Sequence, residues 1–331
     1  MLDIHTHLYF PDYDADREEV IRRAFEAGLT MMISVSTAPE DHGKALEIST
    51  LDERIFAAVG LHPHWFNEQF MRIDEEKEVR IFRTGSMRVR KCSLSENPDS
   101  FSSAGVTETL FAREVDELRK LVKNNPKIIA IGECGLDYFS HTGEVITDDQ
   151  KAWQKEGFIA QVKLAQEIGL PMIIHCRDAY EDLLEVISES SRGIEAIPID
   201  KSGTASLRSQ RHEHTKFVMH CYMGDTEVTK KFLELPNVYF SFTGNITYPV
   251  KKAIEEMEKD IRETVKLIPL ERMFMETDCP FLAPVPYRGK RNEPSYVVEV
   301  AKKIAELKGC SQETVEKSVH DSIDQVFHRK P

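Results

Sequence analysis

The stretch Met1-Leu-Asp-Ile-His-Thr-His7 begins as a strand and ends in two histidines two positions apart. Side chains on a strand alternate between faces, so His5 and His7 point the same way, with Asp3 below them, and make a metal-ligand pair by geometry. Four other short apolar runs also lead into ligand-type residues: Ile131-Gly-Glu133, Ile173-Ile-His175, Val218-Met-His220 and Met275-Glu-Thr-Asp278. Taken singly, any of these histidines is also readable as a hydrogen-bonded core residue. Four histidines and two carboxylates together at the ends of expected strands favour a built site.

Along the chain, short apolar runs alternate with longer amphipathic ones, the signature of repeated strand-helix units. Strands are expected to end at His7 and to cover 30–35, 55–59, 128–131, 172–174, 217–219, 238–240 and 273–275. Helices are expected over about 14–27, from Pro39 onward, and over 108–122, 148–167, 179–188, 248–267, 295–307 and 311–327. Eight such units predict an α/β fold, a (β/α)8 TIM-type barrel, formed by residues 1–331 as one domain with extra C-terminal helices. Two polar stretches near 83–105 and 191–214 read as surface insertions. Barrel active sites lie at the C-terminal ends of the strands, where all six ligand-type residues fall although they range from position 5 to 278.

Composition limits the partners. Lys plus Arg number 43 against 56 Asp plus Glu, a formal charge of −13, which argues against a broad grip on duplex DNA. A nucleic-acid substrate stays open, because divalent cations and a few local arginines neutralise a phosphate on an otherwise acidic surface. The six cysteines are too few and too scattered for a disulfide scaffold, so a reducing compartment is expected. No signal-peptide pattern and no apolar run of about 18 residues occurs, so no membrane partner is expected. The expected location is intracellular and cytoplasmic, or nuclear in a eukaryote. Nothing in the sequence requires more than a monomer.

Four imidazoles and two carboxylates suit two divalent metal ions, Mg2+, Mn2+ or Zn2+, better than a redox centre. Glu133 lies on a middle strand and is assigned as the bridge, since a carboxylate spans two ions where an imidazole cannot. The expected ion separation, about 3.5 to 4 Å, is the one used to hold the attacking and leaving oxygens of a phosphodiester. Asp278 is read as a ligand that also accepts the proton of the attacking water, a pure ligand role having equal standing. Arg177, two positions after His175, faces the same way and is expected to grip a phosphate oxygen. His62 and His64, in Gly60-Leu-His-Pro-His64, share a face and are read as phosphate contacts or as residues that shape the loop around Pro63. Tyr138 and Trp65 are expected as exposed-loop aromatics that stack a terminal base, with core packing as good a reading for Trp65. Cys134, Cys176, Cys221 and Cys279 each follow a proposed ligand, yet the strand's period of two turns them toward the helices as small buried hydrophobes.

These motifs together resemble the TatD-type deoxyribonucleases of the metal-dependent amidohydrolase-like superfamily. The resemblance rests on Asp3-Ile-His5-Thr-His7, Gly60-Leu-His62-Pro-His64, Ile131-Gly-Glu133-Cys-Gly135-Leu-Asp137-Tyr138, Pro171-Met-Ile-Ile-His175-Cys-Arg177, His220-Cys-Tyr222 and Glu276-Thr-Asp278-Cys-Pro280, with an echo in Arg291-Asn-Glu-Pro294. It implies a TIM-type barrel and a two-metal phosphodiesterase acting on DNA as a 3′ to 5′ exonuclease, with a part in DNA repair or apoptotic DNA degradation. It also implies that His5, His7 and Asp278 hold one ion and His175 and His220 the other, with Glu133 shared. The polar stretches look longer than the family's usual loops, and Ser241-Phe-Thr-Gly-Asn245 only approximates its motif after the seventh strand. Other readings are a different dinuclear hydrolase on the same barrel, such as an amidase or deaminase, and a barrel scaffold without chemistry.

Overall fold

Each apolar run forms a strand, and the strands lie side by side in chain order. The computed structural model describes residues 1–69, 103–140, 143, 145–192, 215–249 and 255–327. The strands are β1 (Leu2–Thr6), β2 (Met31–Val35), β3 (Ile55–Val59), β4 (Ile128–Asp137), β5 (Met172–Arg177), β6 (Phe217–Met219), β7 (Val238–Phe242) and β8 (Met273–Met275). They make one eight-stranded sheet in the order β1 to β8, every neighbouring pair parallel. Strands such as β2 and β7 are buried along their whole length, as expected where helices cover a parallel sheet.

The sheet curls until its ends nearly meet, giving the expected (β/α)8 barrel. β8 is only three residues long, and burying Met273, Phe274 and Met275 contributes about 1.5–3 kcal/mol per side chain against about 1–2 kcal/mol per residue of backbone ordering. That margin is thin, and polar contacts across the seam add to it. His7 N–H donates to Cys279 O at 2.9 Å and Asp278 N–H to His5 O at 3.0 Å. The buried Asp3 carboxylate takes Thr277 N–H at 3.0 Å and Thr277 Oγ1 at 2.5 Å, tying β1 to the chain just after β8. Burial pushes the Asp3 carboxyl up to about 8, against these hydrogen bonds, which favour the ionised form.

Three strands run further than expected, β7 by the shortest step, to Phe242 instead of Phe240. β4 continues to Asp137 instead of ending at Ile131, and β5 to Arg177 instead of Ile174. Polar residues facing a site break the apolar pattern, and the ladder, after one shift of register between Ile131 and Cys134, goes on to pair Asp137 with Arg177. Between β6 and β7 stands a helix, Thr226–Leu233, that was not expected; Asp225 caps it by accepting Glu227 N–H at 2.9 Å and Val228 N–H at 2.8 Å. Residues 63–69 are helical. Of the expected insertions, 83–102 and 193–214 lie outside the described residues, whereas 103–105 belong to the helix Ser103–Asn124 and 191–192 to Tyr180–Arg192. Among the described residues no helix is long and apolar enough to cross a membrane.

Candidate metal centre

The site begins with how β4 is held. Gly135 (φ +142°) lies against β5 so closely that a Cβ there would come within 1.9 Å of His175 O, so only glycine allows the two strands to carry their polar residues side by side. The helix Asp148–Ile168 fixes the mouth. Thr147 Oγ1 accepts Gln150 N–H at 3.2 Å while Gln150 Oε1 accepts Thr147 N–H at 2.9 Å, a reciprocal cap that sets where the helix starts. Two turns apart on one face, Gln154 brackets the backbone of Asp137 (2.8 and 2.9 Å) and Gln161 that of Leu61 (2.7 and 3.1 Å). The chain around the mouth is thereby pinned by buried side chains.

Five imidazoles and two carboxylates converge there. Glu133 Oε2 lies 3.3 Å from His5 Nε2 and 4.0 Å from His7 Nε2. Its other oxygen, Oε1, faces His175 Nδ1 at 3.0 Å, His62 Nε2 at 3.5 Å and His220 Nε2 at 3.7 Å. Asp278 Oδ1 stands 3.4 Å from His7 Nε2 and 3.9 Å from His5 Nε2, and the two histidine nitrogens are 3.2 Å apart. The donors therefore fall into two groups, one on each oxygen of Glu133. Asp278 is held in the left-handed region (φ +55°), a costly conformation for a residue with a Cβ and one found where a site fixes it.

Outer partners decide which ring nitrogen faces inward. His7 Nδ1 lies 2.8 Å from the Val35 carbonyl, which only accepts, so the proton sits on Nδ1 and the Nε2 lone pair points at the centre. His220 Nδ1 faces Glu276 Oε1 at 2.8 Å, leaving Nε2 inward. His175 is reversed: Nε2 meets Asp137 Oδ2 at 3.1 Å and Nδ1 looks in. This is the second sphere expected of metal-binding imidazoles. His62 differs, because its Nδ1 accepts the His64 N–H at 3.1 Å, so the neutral ring carries its proton on Nε2, toward Glu133. His62 lies inside the cluster, yet as an N–H donor, not a lone pair.

The charges fit a cation. Burial would raise the Glu133 carboxyl, but His62, His5, His220 and the bond from His175 outweigh it and hold it well below the usual carboxylate range. Asp278 is likewise lowered, burial being overcome by His7, His220 and His5. Burial opposes charge on His175, yet Asp137 and Glu133 bring it up to about 9; for His220, Glu276 and Glu133 overcome burial and bring it to about 10. His62 goes the other way, to about 4, because burial dominates. An ion bound at about 2.1 Å spaces tetrahedral donors about 3.4 Å apart, close to the separations found here. His5 Nδ1 is buried without a hydrogen-bond partner, and Nε2 is the nitrogen with the centre's donors around it. Two clusters bring ligand-type residues together for divalent metal ions, His5–His7–Asp278 and His62–Glu133–His175, where Glu133 and His175 supply the lone pairs and His62 the N–H; a third grouping, His5–His220–Glu276, shares His5 with the first.

All six expected ligands meet at this point. Asp137 and Glu276 were not assigned roles from the sequence; both stand in the motifs, but only the structure shows that they orient His175 and His220. His64 is half-exposed and its Nε2 lies 3.0 Å from Asp137 Oδ2. The Arg177 guanidinium stacks 3.4 Å over the Phe139 ring. Tyr138 is partly buried and its hydroxyl donates to Asp182 Oδ2 at 2.7 Å. Of the two readings of Trp65, exposed loop and core packing, the second holds: it sits in the helical segment 63–69, buried and edge-on to Phe66 at 5.1 Å, where its large ring completes the core. None of the metal clusters among the described residues contains a cysteine.

A family model described as TatD related DNase matches residues 2–328. The chain is 34% identical over 327 residues to the uncharacterized metal-dependent hydrolase YabD of Bacillus subtilis (strain 168), covering 99% of this chain and 98% of that protein. It is 26% identical over 331 residues to the 3′-5′ ssDNA/RNA exonuclease TatD of Enterobacter lignolyticus, covering 99% and 98%. The crystal structure of YJJV, a TatD homologue from Escherichia coli K12, superposes with a TM-score of 0.69 at 22% identity, covering 99% and 97%, and so shares the fold. With a matched family model, a close full-length relative and two metal-binding clusters at the barrel mouth, the chain belongs to the TatD family and is a metal-dependent hydrolase of the amidohydrolase superfamily.

Proposed function

We propose that the protein is a deoxyribonuclease that hydrolyses phosphodiester bonds at the 3′ ends of single-stranded DNA. The observation that carries this reading is the division of donors between the two oxygens of Glu133, which suits two ions a few ångströms apart sharing one carboxylate. The likeness to a relative named as a 3′-5′ ssDNA/RNA exonuclease supports the direction and the substrate class. In this reading His5, His7 and Asp278 hold one ion, His175 and His220 the other, and Glu133 bridges them.

Two bound divalent ions would supply polarisation of the phosphoryl oxygens and a water acidified to a pKa of about 7. The remaining work falls to the chain. Asp278, ionised and beside both His5 and His7, is placed to accept the proton of the attacking water. His62 offers its Nε2–H to a phosphate oxygen, a donor that stays neutral and protonated on that nitrogen at physiological pH. Arg177 adds a guanidinium oriented by its stack on Phe139. Asp137, held by Gln154, fixes His175 and with it the geometry of that half of the centre.

End-labelled single-stranded DNA incubated with the protein and Mn2+ or Mg2+ tests this. A ladder shortening from the 3′ end, abolished by chelator, is expected. Hydrolysis of amide or deaminase substrates with no cleavage of DNA would favour the other dinuclear chemistry.

A further inference from the structure

We infer that Phe281, backed by Phe10, is the shelf on which the base next to the scissile phosphate stacks, an inference that rests on the nuclease reading above. Phe281 lies three residues after Asp278 and is 51% exposed, an unusual state for a phenylalanine beside a buried polar centre. Its ring stands edge-on to Phe10 at 6.0 Å and to His7 at 6.5 Å. Phe10 in turn stacks on the His7 ring at 5.0 Å with 20° between planes. An aromatic surface therefore runs from a metal-facing imidazole out to solvent.

The exposure is built in. Phe281 N–H donates to Asp278 O at 2.9 Å, and its carbonyl accepts Asn292 Nδ2 at 2.6 Å, the same amide that holds Thr277 O at 2.9 Å. Further along, Val285 N–H donates to Thr247 Oγ1 at 2.8 Å, and a Cβ on Gly244 would come within 2.2 Å of Leu282 O. The loop after β8 is thus pressed onto the turn Gly244–Thr247, so the ring cannot fold back into the core. The segment continues into the exposed Arg288, whose guanidinium lies 4.1 Å over Tyr248, and into the exposed Lys290. On a chain with a formal charge of −13, an exposed aromatic followed in the same segment by exposed cations matches a base followed by phosphates. Stacking on such a ring tolerates any base, as removal of nucleotides one after another requires.

The test compares kcat/KM on single-stranded oligonucleotides that end in an ordinary nucleotide or in an abasic one, using the Mn2+-loaded wild type, Phe281→Ala and Phe281→Tyr. The wild type should prefer the base-bearing end. Phe281→Ala should shrink that preference by about 5- to 100-fold while Phe281→Tyr keeps it, with metal content equal in all three. A preference unchanged in Phe281→Ala would overturn the shelf even though the nuclease reading stood. Should the wild type cleave neither oligonucleotide, the nuclease reading itself fails and the shelf falls with it.

Discussion

Asp137→Asn is the sharpest probe of how the centre is oriented, because it keeps the shape and removes one acceptor. Asp137 Oδ1 accepts Phe139 N–H at 2.9 Å, while Oδ2 faces His64 Nε2 at 3.0 Å and His175 Nε2 at 3.1 Å. In the asparagine either the Phe139 N–H or the His175 N–H meets an NH2 group, a donor against a donor. The less disruptive response is for His175 to keep its proton on Nδ1, now 3.0 Å from Glu133 Oε1, so that this nitrogen no longer presents a lone pair to an ion. Loss of such outer support costs about 10- to 100-fold in metal affinity, or about 1.4–2.7 kcal/mol. Calorimetric titration with Mn2+ should show one site weakened by that factor and the other, with His5, His7 and Asp278, within about threefold of wild type. Equal weakening of both sites, or of neither, would refute the assignment of Asp137 to His175.

Glu133→Ala should empty both sites and lower turnover at least about a hundredfold, since both coordination spheres lean on the one carboxylate; elemental analysis beside the activity assay checks it. Arg177→Ala should lower kcat/KM or raise KM with metal content unchanged, and the wild type should show a shallow salt dependence, a log-log slope of about 1 to 2, because only a few phosphates are gripped. A slope near 5 would mean a broad basic groove. His175 and His220, brought to about 9 and 10 in the metal-free protein, are protonated at pH 7.5 and must lose those protons to bind ions. Loading at that pH should release about two protons, read from calorimetry in buffers of different ionisation enthalpy, and affinity should rise with pH up to that range.

The barrel was legible because its strands are apolar and its helices amphipathic, and eight runs in order admit few other folds. The period-two pairing of His5 with His7 was equally readable, and the structure brings their Nε2 atoms to 3.2 Å. What escaped was whatever departs from that pattern. The apolar runs of β4 and β5 stop before the strands do because Glu133, Asp137, His175 and Arg177 interrupt them, although glycines at 132 and 135 let the strands continue side by side. The helix after β6 was missed although Asp225 caps it and Phe232 is buried in it, for it is only eight residues long. The orienting roles of Asp137, Glu276 and the Val35 carbonyl depend on which strands become neighbours. Backbone acceptors leave no mark in a sequence at all. Trp65 stays open between loop and core in the sequence because a Pro-His-Trp segment also reads as loop, whereas Pro63 here opens a helix.

The centre itself is tested most directly by anomalous diffraction from crystals grown with Mn2+. Two peaks about 3.5 to 4 Å apart are expected, the first beside His5, His7 and Asp278, the second beside His175 and His220, with one oxygen of Glu133 on each. A single peak, or two peaks with Glu133 on only one of them, would contradict the shared-carboxylate centre.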